Sequence, residues 1–348
     1  MKLIGSVNWP ITISSLLLIS VGILVIYSSS KELAFQQLFY SALGLTFFLF
    51  LSQLDLQILK AIIKHLYIFM ILLLIAVLVI GIETRGVIRW IPLGFFHIQP
   101  SELAKPILIL MVAHFLSKNT TSWKNIFKTL GLSAPFVILV FEQPDLGSAL
   151  TLIAICIGML FAARVSIKKM VLLLLIAALV IPSSWFFLRE YQRQRVIGFL
   201  QPESDPLGRG YNQIQSVIAV GSGQLMGRGL GRGTQSRLQF LPEYRTDFIF
   251  ASIAEEMGLL GAAGILAIYL YLLTFCLKVA SREDNGFIFL TVIGVFSMLL
   301  FQIFVNIGMN IGILPITGIT LPLISYGGSS VVSTFICLGF IASAAKKR

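Results

Sequence analysis

Charge is scarce in this chain: 12% of its 348 residues are Asp, Glu, Lys or Arg, against 57% hydrophobic, and the mean hydropathy is +0.92. A soluble globular domain carries about 25% charged residues, so that class is excluded. Histidine and cysteine are rare too, with three of each. His65, His97 and His114 lack the paired spacing of a zinc or iron site. Cys156, Cys276 and Cys337 stand alone in separate apolar runs, which excludes a disulfide framework. The first ten residues hold one lysine and no small-residue cleavage site, so the first apolar run reads as a retained span and not a signal peptide.

What remains is apolar sequence in blocks. Runs near Ile11–Tyr27, Leu38–Leu51, Leu66–Ile82, Leu103–Leu116, Ile126–Phe141, Leu146–Val165, Met170–Leu188, Phe248–Leu277, Phe287–Ile307 and Val331–Ala344 suit crossings of about 20 residues each. They predict an all-α polytopic membrane protein with about ten transmembrane helices, the whole of 1–348 forming one membrane domain. Fourteen Lys and Arg residues fall in one set of termini and short loops, whereas the opposite short loops hold only Lys31, Arg85 and Arg89. Basic loops stay on the cytoplasmic side, so both termini are expected there. The net charge of +11 is then a topological bias and not a nucleic-acid footprint.

Residues 189–246 break this pattern as one large extracytoplasmic loop, with eight arginines and no lysine. A loop of that length can be translocated regardless of charge. Alternatively, guanidinium forks are kept there to grip an anion bidentately, as phosphate oxygens permit. Nine glycines in the same loop, several in the run Gly227–Gly233, suit close backbone approach to phosphate or simple turns.

Ionisable residues at span edges are costly and point to a functional interior. Glu102 and Lys105 stand three apart at the start of the fourth run, within ion-pair reach on one helix face; Ser101 is a candidate N-cap beside them. Asp145 opens the sixth run after Pro144 and reads as a cap. Asp247, after Glu243-Tyr244-Arg245-Thr246, stands where the arginine-rich loop meets the eighth run. It is either a cap or a general base beside an anion site. Glu255 and Glu256 follow eight and nine residues on, which in a straight helix lies about 12 Å deeper.

The segment Asn306–Ser330, with Arg85-Gly86…Arg89-Trp90-Ile91, Gln99-Pro100-Ser101-Glu102 and Leu241-Pro242-Glu243…Thr246-Asp247-Phe248, resembles the signature of the SEDS proteins (shape, elongation, division and sporulation). That resemblance spans the chain. It implies ten membrane helices in the bacterial cell membrane and an inverting peptidoglycan glycosyltransferase. Such an enzyme polymerises lipid II, the undecaprenyl-pyrophosphate disaccharide-pentapeptide, with release of undecaprenyl pyrophosphate. By resemblance Asp247 is the catalytic carboxylate, with Arg89, Glu102, Lys105, Glu243 and Arg245 as substrate-binding candidates. A class B penicillin-binding protein is the expected partner; no protein metal site is expected, and an Mg²⁺ or Mn²⁺ carried by the substrate would leave no spacing signature in the chain. Gly94-Phe95-Phe96 and Gln143–Gly147 are more similar to the elongation (RodA-like) branch than to the division (FtsW-like) branch. A lipid II flippase is the rival from another class, because broken Gly/Pro-rich segments such as Gly308–Pro322 also suit a transporter.

Overall fold

The computed structural model describes residues 8–84, 87–93, 96–183 and 190–346. Three helices come first: α1 (Trp9–Ser29), α2 (Lys31–Gln53) and α3 (Leu56–Ile80). A small antiparallel sheet follows, β1 (Ile82–Thr84), β2 (Val87–Leu93) and β3 (Phe96–Ile98). Then come α4 (Pro100–Lys118), α5 (Trp123–Glu142), α6 (Leu146–Ala162) and α7 (Ile167–Ser183). After the residues beyond α7, three short helices, α8 (Glu190–Leu200), α9 (Tyr211–Ser222) and α10 (Thr234–Arg237), lead to α11 (Ile249–Ala280), α12 (Gly286–Asn310) and α13 (Gly328–Lys346).

Seven of these helices (α1, α2, α3, α5, α11, α12 and α13) are long and apolar enough to cross a bilayer. The fold is that of a polytopic membrane protein. The runs Leu38–Leu51, Leu103–Leu116 and Ile126–Phe141 extend to 23, 19 and 20 residues in α2, α4 and α5. Their ends include polar residues such as Gln36, Gln37 and Ser101 that an apolar count omits. One expectation needs amending. The chain is not wholly helical, because β-branched and aromatic residues within 82–98 pair as strands. The arginine-rich loop carries α8, α9 and α10.

The inner layer is α4, α6, α12 and α13, with α13 packed on α2 and α4, and α12 on α4, α6 and α11. Around it α2, α3 and α5 turn large apolar side chains outward, among them Phe35, Phe50, Phe69 and Ile138. Water would disfavour such a surface and hydrocarbon accepts it.

Between α12 and α13 the chain runs without helix through 311–327, with 321–325 buried. Irregular backbone at that depth requires protein partners for its polar groups. The Asn306 amide donates to Ile319 O, the Tyr269 hydroxyl to Pro322 O and the Gln37 amide to Ser325 O, while Ser325 Oγ accepts the Leu321 N–H. The segment also packs tightly on α1: a Cβ on Gly22 would meet Ile324 O at 2.5 Å.

Candidate active site

Five connections meet at one end of the bundle: α1–α2, the sheet, α5–α6, the arginine-rich loop and 311–327. Arg245 ties two of them by donating through its guanidinium to Ser29 Oγ and Ser29 O, at 2.8 and 3.1 Å. Arg89 ties two more, donating to Gln143 O and Pro144 O. It also approaches Asp145, with 4.0 Å between Nη1 and Oδ1.

Asp247 lies in this convergence. It is not a cap: the residue preceding α11 is Phe248, and no side chain caps that helix. Burial raises the Asp247 pKa above 3.8; Arg195 and then Arg89 oppose the shift, Asp145 adds to it, and a Thr246 hydrogen bond lowers it. Two guanidiniums and a second carboxylate therefore share its electrostatic field. Its carboxylate lies against Gly318, where a Cβ would stand 3.4 Å from Oδ2; φ of +75° there suits glycine.

Local structure holds the aspartate through its backbone. Three successive carbonyls of the loop receive hydrogen bonds from the 306–326 segment: Arg245 O from the Tyr326 N–H, Thr246 O from Ser325 Oγ, and Asp247 O from the amides of Asn306 and Asn310. The signature residues far along the chain are the frame of the aspartate. The carboxylate itself is left for the electrostatic partners named above.

The remaining candidates separate. Glu243 has φ of +52° and forms a turn whose carbonyl accepts the Thr246 and Phe248 N–H groups. Glu102 and Lys105 close on each other at 2.6 Å and are buried, and Ser333 donates to the Glu102 backbone carbonyl from α13. Ser101 does not cap α4. That helix begins after Gln99 with Pro100 in the first turn, and Ser101 Oγ donates to Asp145 Oδ2 at 3.0 Å. Asp145 caps α6 by accepting from the Ser148 N–H, and it also accepts from Gln99. It thus joins the Arg89 cluster to the start of α4.

Arg195, Asn306, Asn310 and Gly318 were not singled out as site residues from sequence. Asn306, Asn310 and Gly318 stood inside the signature, and Arg195 was one arginine of eight. Among the described residues no three His, Cys, Asp or Glu side chains form a metal-binding group.

Glu255 and Glu256 do not lie deep. Glu256 accepts from Ser28, at the same tip of α1 whose Ser29 receives Arg245. Residues 245–256 therefore run at one level across the end of the bundle. The helix turns at Gly258, with φ of +68°, before descending.

The family model FtsW/RodA/SpoVE, described as a cell cycle protein, matches residues 7–348. Peptidoglycan glycosyltransferase MrdB of Escherichia coli K12 is 41% identical over 92% of this chain and 88% of its own. Stage V sporulation protein E of Bacillus subtilis is 34% identical over 97% and 96%. A solved chain described under the structural coordination of polymerization and crosslinking by a peptidoglycan synthase complex superposes with a TM-score of 0.84. It is 33% identical over 97% of this chain and 96% of that one. The rod shape determining protein RodA of Thermus thermophilus superposes at 0.74, with 28% identity over 98% and 97%.

Proposed function

This chain belongs to the FtsW/RodA/SpoVE family, and from that membership we propose that it is the peptidoglycan glycosyltransferase of cell elongation, polymerising lipid II at the outer surface of the cell membrane. The observation that carries the chemistry is Asp247: it caps nothing, its backbone is fixed by Asn306 and Asn310, and its carboxylate shares a field with Arg195 and Arg89. The seven long apolar helices with α4, α6 and α7 make ten spans, with both termini cytoplasmic and the arginine-rich end outside. The family relationship supports a single membrane domain over 1–348, with 189–246 as its large outer loop.

In the reaction Asp247 accepts the proton of the acceptor's GlcNAc 4-hydroxyl as that oxygen attacks the anomeric carbon of the donor glycan. The bond from that carbon to the diphosphate breaks, its electron pair leaves with undecaprenyl pyrophosphate, and a β-1,4 bond forms with inversion. A diphosphate needs no proton to depart, so one carboxylate suffices, in contrast to the paired acids of glycosidases. Arg89 and Arg195 stabilise the developing negative charge. Glu102 and Lys105, closed on each other, contribute to substrate binding by holding α4 under the Ser101–Asp145 contact. Arg245 and Glu243 contribute by shaping the turn that presents Asp247. Mg²⁺ or Mn²⁺ bound to the diphosphate would meet Asp145 and Asp247 and supply further charge neutralisation; no step above depends on it. A class B penicillin-binding protein is the partner that would crosslink the product.

The test is polymerisation of lipid II by purified protein, wild type against Asp247→Asn. Glycan strands from the wild type and none from the variant support the assignment. Equal product from both removes Asp247 as the base. Transfer of labelled lipid II between leaflets without any product makes the chain a flippase.

A further inference from the structure

Loop 223–232, between α9 and α10, is fastened to the turn of α11 chiefly by backbone hydrogen bonds. Arg228 N–H donates to Glu255 O, Gly229 N–H to Glu256 O, Leu259 N–H to Gln224 O and Leu260 N–H to Leu225 O. Gly227 and Gly258 are apposed so closely that a Cβ on Gly258 would meet Gly227 N at 2.3 Å. The loop therefore sits at the height of Leu259 and Leu260.

That height follows from α11. Leu259 and Leu260 are 58% and 59% exposed and begin an outward apolar strip that continues through Leu266 and Leu270 to Leu277, just before Lys278. From Leu259 to Lys278 the helix rises about 28 Å, close to the roughly 30 Å of the hydrocarbon layer. Leu259 then marks one boundary of that layer. On the loop, at the same boundary, Leu225 is 62%, Met226 77% and Leu230 53% exposed. Apolar side chains that continue a lipid-facing strip belong to the same solvent as the strip.

The same loop carries two exposed arginines, Arg228 between Met226 and Leu230 and Arg232 just after Leu230. Arg228 donates only to neutral oxygens, Ser222 O and Thr234 Oγ1. Among the described residues neither Arg228 nor Arg232 has a carboxylate within ion-pair distance, and both line an open cavity of about 610 Å³ with Ser222, Gln224 and Met226. The nearby Glu255 is occupied by Thr234, Gln235 and Ser236, and Glu256 by Ser28 and the Gly231 N–H.

We propose that loop 223–232 is a membrane-surface anchor: Leu225, Met226 and Leu230 enter the hydrocarbon boundary, and Arg228 and Arg232 take the phosphodiester of an anionic phospholipid. Guanidinium forks match phosphate oxygens, and an apolar rim beside cations is the composition of an interfacial anchor.

The experiment uses the full chain in phosphatidylcholine vesicles containing one quarter phosphatidylglycerol, with a nitroxide on a Met226→Cys variant; Cys156, Cys276 and Cys337 are buried. High collision with oxygen and low collision with a water-soluble nickel chelate is the expected result. Free access of the chelate overturns the anchor. In neutral detergent, short-chain phosphatidylglycerol is then titrated against a fluorophore at the same position. Each cation near an anionic surface is worth about fivefold, so Arg228→Gln with Arg232→Gln should weaken the response about twenty-five-fold. Arg232→Gln alone, whose side chain donates no hydrogen bond to the described residues, should weaken it about fivefold without disturbing the loop. An unchanged response in both variants, or equal response to phosphatidylcholine, overturns the lipid assignment.

Discussion

Replacing Lys105 by methionine tests what the buried pair in α4 does. Its ammonium is 2.6 Å from the Glu102 carboxylate, with the two side chains 2% and 8% exposed, and among the described residues that ammonium is the only hydrogen-bond donor to the Glu102 side chain. Removing one member leaves the other charge buried and uncompensated, which costs about 3–5 kcal/mol. Replacing both, as Glu102→Leu with Lys105→Met, leaves an apolar pair of similar volume that is neutral or stabilising by about 1–4 kcal/mol. Since either single replacement costs about 3 kcal/mol or more and the double costs nothing, the expected coupling energy is at least about 6 kcal/mol. It is measured by a double-mutant cycle, with unfolding of the detergent-solubilised protein followed by circular dichroism. A Lys105→Met variant within about 0.5 kcal/mol of wild type would mean the pair is solvated, and the reasoning would fail. Lipid II polymerisation per folded molecule then separates support from chemistry. If the pair only holds α4, the double variant recovers activity together with stability. A stable double variant without product would mean that Glu102 or Lys105 touches the substrate.

Asp247→Asn should leave unfolding unchanged, because the backbone carbonyl and not the carboxylate carries the structural contacts, while polymerisation falls by at least about 10²-fold. The base works deprotonated and burial raises its pKa above 3.8, so activity should be lost on acidification at a pH above the ordinary aspartate range. Arg195→Gln removes the larger opposing cation and should move that loss to still higher pH; a limb that stays in place would dissociate Arg195 from Asp247. Ser101→Ala should impair activity less than Lys105→Met, since it removes one hydrogen bond to an aspartate that keeps other partners; the reverse order would make Ser101 the more important. Gly258→Ala forces a side chain into a left-handed backbone position, worth about 1–3 kcal/mol of strain, as well as into Gly227. Faster amide exchange across 223–237 is expected, and unaltered exchange would count against the fastening described for this loop.

Sequence reads well along one element and poorly between elements. The spans were legible because apolar runs have the length of a bilayer. Asp145 was legible as a cap because Pro-Asp before a helix is a local signal, and the structure adds Ser101 and Arg89 to its partners. The sheet at 82–98 was missed because three short strands beside a span carry little periodicity. Glu255 and Glu256 were misjudged in depth because 1.5 Å per residue assumes a straight helix, and Gly258 gives no warning in sequence that it carries a left-handed turn. Arg195 could not be chosen from eight arginines, since proximity to Asp247 is created by the fold.

The separation between Asp247 and the residues that hold it explains why so long a signature accompanies a single acidic group. As the proposed general base, Asp247 must be held to a fraction of an ångström, yet each further donor placed on its carboxylate, beyond Thr246 and the two guanidiniums, would lower its basicity. Fixing the side chain directly would satisfy the first demand and defeat the second. Here the constraint is moved onto the peptide groups of Arg245, Thr246 and Asp247, whose carbonyls are taken by Tyr326, Ser325, Asn306 and Asn310. Asn310 also accepts the Ala251 N–H, so the same side chain fixes the first turn of α11. The donors come from irregular backbone and the end of α12, which is tolerable at that depth only because Gln37, Tyr269 and Asn306 satisfy the segment in turn. The broken stretch 308–322 is thereby accounted for as a rigid frame around a carboxylate, and a moving gate is not needed to explain its glycines and prolines.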